Sequence, residues 1–197
     1  MAGSTFLFPA RVDEAERVIV TSSEKDPEVA GRDLDDLARE MGATRREAAE
    51  RLVPAGAVYF QMAEEDMRRI LAYPPTMIGS DGLVQDRHPH PRAWGTFPRV
   101  LGRYARDEGL LTLEQAVHKM TGLTAARFGS RDRGVLRAGA FADLTLFDPA
   151  EVLDLADFEH PTRPAAGIAG VWVNGRRVWE GGAPTGARPG RPLRRAA

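Results

Sequence analysis

Cysteine is absent from this 197-residue sequence. No disulfide holds the fold and no thiolate is available to a metal, which fits a cytoplasmic protein. Lysine is nearly absent as well: Lys25 and Lys119 stand alone among 27 residues of Lys plus Arg. With so much Ala and Gly, that bias is the imprint of GC-rich coding and carries no functional signal. Net charge is also missing. The formal value is −1, so no long-range field invites nucleic acid or an anionic membrane. No apolar run reaches the length of a membrane-spanning helix, which needs about 18 residues or more. A secretory signal is not expected, because Met1-Ala2-Gly3-Ser4 carries no positive region and the stretch from Arg11 to Glu16 interrupts any apolar core. What is present is an apolar fraction of 43%. That supports a sizeable core in a chain long enough for one domain or pieces of two.

Local signals divide the chain. Val18 to Val20 is a β-branched run. Asp33 to Met41 has helical period, with Leu34, Leu37 and Ala38 on one side, and Gly42 stops it. Thr44 followed by Glu47 is a capping box that starts a helix to about Leu52. Ala57 to Phe60 reads as a strand. Glu64 to Leu71 reads as a helix with Met67, Ile70 and Leu71 on its apolar side. Pro74 and Pro75 then precede the apolar run Thr76 to Ile78, read as a buried strand. Helix alternating with strand is α/β grammar and predicts parallel pairing. Phe97 to Arg106 and Leu113 to Met120 are helical, the second opened by Thr112 and Gln115, and Thr124 to Phe128 adds a short turn before Gly129. From about Ser130 the grammar changes. Ala142 to Phe147 alternates, and Ile168 to Val173 and Arg177 to Trp179 flank Asn174-Gly175, the favoured two-residue hairpin turn. From about Gly182 onward the chain is rich in Gly, Pro and Arg, and a loosely ordered tail is expected. Its arginines (Arg188, Arg191, Arg194 and Arg195) lack interleaved aromatics and read as a solvated terminus, not as a nucleic-acid surface.

Too few strands are present for the last third to bury both faces of a sheet, and two or three β/α units cannot close a barrel. The sequence therefore looks incomplete for the architecture it implies. The densest chemistry lies between Thr76 and Trp94. Asp81 follows the apolar run, where a barrel strand would deliver a carboxylate at its C-terminal tip. Ser80-Asp81-Gly82 is equally an ordinary turn. Asp86, His88, His90, Arg92 and Trp94 crowd the next loop. His88 and His90 have the spacing of two ligands on one strand face, but Pro89 and Pro91 make the segment a loop.

Several of these stretches carry a resemblance. Tyr59-Phe60, Met77-Ile78-Gly79-Ser80-Asp81-Gly82, the run His90 to Arg99, and Lys119-Met120-Thr121-Gly122 together resemble the N-acyl-D-amino-acid deacylases (D-aminoacylases) of the amidohydrolase superfamily. Arg133 to Leu136, Gly139 to Leu144, Phe147-Asp148-Pro149 and Val173-Asn174-Gly175 resemble the ending common to that superfamily. Gly186 to Arg191 resembles the tail of the deacylases.

The resemblance implies an α/β fold: the C-terminal portion of an amidohydrolase-type β/α (TIM-like) barrel plus part of a small β-sandwich. Residues 1–129 would be the barrel portion, with an inserted subdomain at about 6–55, and residues 130–197 the sandwich strands and tail. It implies hydrolysis of N-acyl-D-amino acids, with Asp81 as general acid/base and Arg92 binding the substrate α-carboxylate. Ser4 would donate to that carboxylate and Gly82 would allow close approach of substrate. It implies zinc, with ligands from earlier barrel strands outside this sequence. No residue of this chain is assigned as a ligand, and His88 and His90 are expected as wall residues. Trp94 and Phe97 would pack the loop or line the acyl pocket, Asp86 would orient His90 or Arg92, and Arg87 would be a second cation near an acidic substrate. Alone, the chain is expected to show negligible deacylase activity. It would be a fragment, a component completed by a separate N-terminal half, or a non-catalytic remnant.

Overall fold

The computed structural model describes residues 2–84 and 86–193, with side chains from residue 6 onward. The topology is mixed α/β with two small sheets. The chain divides into two compact units. One comprises Met1–Arg69, Asp81–Ala93 and Asp157–Thr162, the other Ile70–Ser80, Trp94–Ala156 and Arg163–Ala197.

The first unit is built on β1 (Ala2–Phe6), β2 (Arg17–Ser23) and β3 (Ala55–Phe60), in the order β1-β3-β2. Both pairings are antiparallel, not parallel as the alternation of helix and strand predicted. The reason lies in the connection. Two helices, α1 (Leu34–Glu40) and α2 (Arg45–Leu52), join β2 to β3. The chain re-enters the sheet at the end where it left, with Ser23 opposite Ala55. A single crossover helix would have returned it parallel. Asp33 caps α1 by accepting from the Asp35 amide at 2.9 Å. Thr44 and Glu47 form both halves of the capping box on α2. The helices seal one apolar core in which Val12, Val18, Val20, Leu34, Leu37 and Leu52 are buried.

Arg45 ties this unit together. Its Nη1 donates to the carbonyls of Val12 and Ala15 at 2.9 and 2.8 Å, and its Nε to Asp35 at 2.6 Å. One guanidinium thus satisfies the turn before β2 and the start of α1 from the first residue of α2. The hydrogen bond from Arg45 holds the Asp35 carboxyl below its ordinary range.

β2 carries a bulge. Val20 faces Ala57 and Ser22 faces Gly56, so Thr21 has no opposite number. Its carbonyl is thereby free for another segment.

In the second unit, α5 (Leu113–Met120) opens on the expected Thr112/Gln115 capping box and α6 (Gly122–Phe128) ends on Gly129 at φ +74°. The predicted strand at Thr76 to Ile78 does not form. Its polar groups pair with α5 instead. The buried Lys119 Nζ donates to the carbonyls of Tyr73, Pro74 and Thr76 at 2.6, 3.2 and 3.2 Å, and the Ile78 amide donates to the Lys119 carbonyl at 3.2 Å. Three donors meet three acceptors, and burial lowers the pKa of the ammonium.

The second sheet is antiparallel, β4-β5-β6-β7, made of β4 (Leu144–Phe147), β5 (Ile168–Val173), β6 (Arg176–Glu180) and β7 (Ala183–Pro184). The predicted hairpin turn is present, with Asn174 at φ +49° and Gly175 at φ +76°. The tail is more ordered than expected. β7 pairs with β6, and Asn174 Nδ2 donates to the Pro189 carbonyl at 2.7 Å. Arg194 and Arg195 lie outside the described residues.

Two smaller expectations also change. Met67 and Leu71 of α3 (Glu64–Ala72) are buried, but Ile70 is exposed. The helix predicted from Phe97 begins at Arg92, as α4 (Arg92–Arg99), and continues as a π-helix over Val100–Asp107.

Arg45→Met is expected to destabilise the protein by about 1–3 kcal/mol through orphaned carbonyls. Asp35 has a lowered folded pKa, so its contribution is complete above the unfolded value of about 3.9 and is lost as pH falls through the folded value. Urea unfolding should therefore give a larger penalty for the variant at pH 7 than at strongly acid pH.

Candidate active-site loop

The structure brings Asp81 and Arg92 together. Arg92 Nη2 lies 2.9 Å from Asp81 Oδ2, with the arginine side chain 18% exposed and the aspartate side chain 88% exposed. The carboxylate is thus open to solvent on one side and neutralised on the other. Asp81 sits at φ +47°, a left-handed conformation that Asp tolerates better than most residues. Asn174 shares that feature in an ordinary hairpin turn, so positive φ alone does not mark a site. Here it coincides with an exposed carboxylate on a guanidinium.

Gly82 explains how the loop closes. A Cβ placed there would lie 2.6 Å from Ala93 Cα and 2.8 Å from Ala93 Cβ. Only glycine lets the chain leaving Asp81 pass this close to the residue after Arg92.

The loop between them is held by the first unit. The His88 amide donates to the carbonyl of the bulged Thr21 at 3.1 Å. Ser22 Oγ lies 3.3 Å from Asp86 Oδ1. Arg87 Nη1 donates to the Pro27 carbonyl and to Glu28 at 3.0 and 2.8 Å. Arg87 is thus engaged by Glu28, and Asp86 by Ser22 in place of the expected His90 or Arg92. His88 Nε2 lies 2.7 Å from the Phe158 carbonyl, so it carries the proton and donates. Its ring lies so close over Gly31 that a Cβ there would sit 2.7 Å from Nδ1. His90 Nδ1 accepts from the Arg92 amide at 3.0 Å, and its ring meets that of Phe158 edge-on at 5.3 Å.

A cavity of about 540 Å³ opens beside His88, lined by Arg17, Gly31, Arg32, Asp157 and Phe158 among others. Neither Asp81 nor Arg92 lines it. Arg17 is paired with Asp33 at 2.7 Å.

Ser4 lies in β1 opposite Val58, but its side chain is outside the described residues. Phe97 is exposed and Trp94 half-buried on α4. Among the described residues no group of three or more His, Asp or Glu side chains converges as a metal site. A zinc ion needs about four ligands in a tetrahedron, so the donor set described here does not fit one. Sequence reasoning missed Phe158, whose carbonyl and ring engage both histidines from far along the chain, and nothing local to Phe158 signals that role. The start of α4 was legible: proline directly before Arg92 is a helix-start signal.

The sequence profile of the amidohydrolase family matches residues 20–179. The D-aminoacylase of Alcaligenes xylosoxydans xylosoxydans is 60% identical over 197 residues, covering 100% of this chain and 41% of that protein. A solved D-aminoacylase structure with a binuclear metal centre superposes with a TM-score of 0.90 at 57% identity, covering 94% of this chain and 39% of the other. The N-acyl-D-glutamate deacylase of Bordetella bronchiseptica, solved with zinc and a phosphonate mimic of the tetrahedral intermediate, gives a TM-score of 0.93 at 49% identity, over 99% of this chain and 41% of the other. This chain spans about two fifths of the length of the relatives it matches.

Gly82→Ala is expected to push the loop off Ala93 at a cost of about 1–3 kcal/mol. Backbone amide shifts confined to residues 81–93, with a lowered melting temperature, would check it.

Proposed function

This chain belongs to the amidohydrolase family, and on that footing we propose that it supplies the acid/base and carboxylate-binding share of an N-acyl-D-amino-acid deacylase site. The observation that carries this reading is the exposed Asp81 carboxylate held 2.9 Å from Arg92, within a chain homologous to the deacylases. Residues 1–129 would contribute to the barrel and residues 130–197 to the sandwich, placed toward the C-terminal end of the whole enzyme. The metal ligands would come from polypeptide outside this sequence, whether in one longer chain or as a separate N-terminal half. The span of about two fifths of the relatives' length supports a site that needs completion.

In this reading Asp81 removes a proton from the attacking water as the water oxygen bonds to the acyl carbon. The proton then passes to the amide nitrogen as the carbon–nitrogen bond breaks, releasing a carboxylate and a free D-amino acid. A solvent-open carboxylate suits both transfers, since it must accept and then donate. Arg92 presents a planar fork that matches the substrate α-carboxylate with two parallel hydrogen bonds. Its five N–H donors can serve Asp81 and the substrate together. Gly82 keeps the approach to Asp81 free of a side chain, and Ser4 would add a hydroxyl donor to the same carboxylate.

The test uses an enzyme reconstituted from this chain and the N-terminal portion of the D-aminoacylase relative. Asp81→Asn should lower kcat for N-acetyl-D-methionine by about 10²–10⁴-fold. Arg92→Met should raise KM by about 10–100-fold, and by more than it lowers kcat. Masking the substrate carboxylate as its amide should weaken the unsubstituted enzyme and leave Arg92→Met little further affected. Full activity in Asp81→Asn would remove the acid/base assignment.

A further inference from the structure

We infer that His90 is a positioning residue that aims Arg92, acting as a nitrogen cap on α4 whose ring is oriented by Phe158; this rests on reading Arg92 as the carboxylate-binding residue. The carbonyl of His90 accepts from the Ala93 amide at 3.2 Å, and its Nδ1 accepts from the Arg92 amide at 3.0 Å. These are the two bonds that an Asn, Asp or Ser makes at a helix start, where a side chain must satisfy an amide that has no partner within the helix. Pro91 stands directly before α4, where its missing N–H leaves no helical hydrogen bond unmade and its fixed φ prepares the turn. Both flanking prolines, Pro89 and Pro91, are buried.

Asparagine would make the same cap with a smaller side chain. Histidine adds a ring, and the ring is what the rest of the unit holds. Its edge-on contact with Phe158 has centroids 5.3 Å apart at 70°. Phe158 is itself fixed by the Phe60 ring at 4.7 Å and by His88, which lies 2.7 Å from its carbonyl. Phe158 therefore sets the plane of His90, and that plane points Nδ1 at the Arg92 amide. The backbone of Arg92 is thus tied, through the His90 ring, to Phe158 and to Phe60 of β3. The lone pair at Nδ1 also assigns the tautomer: the neutral ring carries its hydrogen on Nε2.

Two substitutions separate the cap from the ring. His90→Phe keeps an aromatic edge for Phe158 and removes the acceptor. His90→Asn keeps an acceptor for the amide two residues on and removes the aromatic edge. Ring ¹⁵N shifts of the unsubstituted chain should show His90 deprotonated at Nδ1 and protonated at Nε2. Amide hydrogen exchange at Arg92 should be about tenfold faster in His90→Phe, the loss of one capping bond, and within about threefold of the parent in His90→Asn. In the reconstituted enzyme, His90→Phe should raise KM for N-acetyl-D-methionine by about tenfold with kcat within about twofold, and His90→Asn should restore KM. A proton on Nδ1 would overturn the inference, as would equal effects of the two substitutions. If His90→Phe frees the Arg92 amide while Arg92→Met leaves KM unchanged, the carboxylate-binding reading fails and the positioning of Arg92 by His90 stands.

Discussion

The Arg92–Asp81 ion pair is the constraint on which the arrangement of the loop depends. It obliges the chain to double back between its two members. Three features make that reversal possible without a strand to carry it. Asp81 takes a left-handed conformation, Gly82 passes against Ala93 with no room for a Cβ, and Arg92 is held at the start of α4 by His90. The pair is largely solvent-facing on the aspartate side, so its worth to stability is small. Its value is geometric: a cation and a carboxylate presented together at an open surface.

Local signals are legible in the sequence because they are set by local physics. Both capping boxes, the Asn174-Gly175 hairpin and the stop at Gly129 follow from which residues satisfy helix ends and tolerate positive φ, and each is present. What failed were choices decided by distant partners. Parallel pairing was expected from alternation, but two helices in the β2–β3 connection reverse the strand. Thr76 to Ile78 has the composition of a buried strand, yet its polar groups pair with Lys119. Within the loop, Asp81, Gly82 and Arg92 could be singled out beforehand. Thr21, Gly31 and Phe158 could not, because a bulge carbonyl and a ring far along the chain leave no periodic trace near the loop.

The relatives it matches include deacylases solved with metal centres, and the chain spans about two fifths of their length. Its described residues hold groups suited to moving a proton and holding a carboxylate, and no converging set of metal ligands. On our reading that division of labour is the main fact about the chain.

The most direct test is zinc content and N-acetyl-D-methionine turnover for the purified chain, alone and mixed with the N-terminal portion of the 60%-identical D-aminoacylase. Our account predicts no stoichiometric zinc and no turnover for the chain alone, and zinc-dependent turnover for the mixture. Stoichiometric zinc and turnover by the chain alone would contradict it, since the chain would then build a complete site from its own residues.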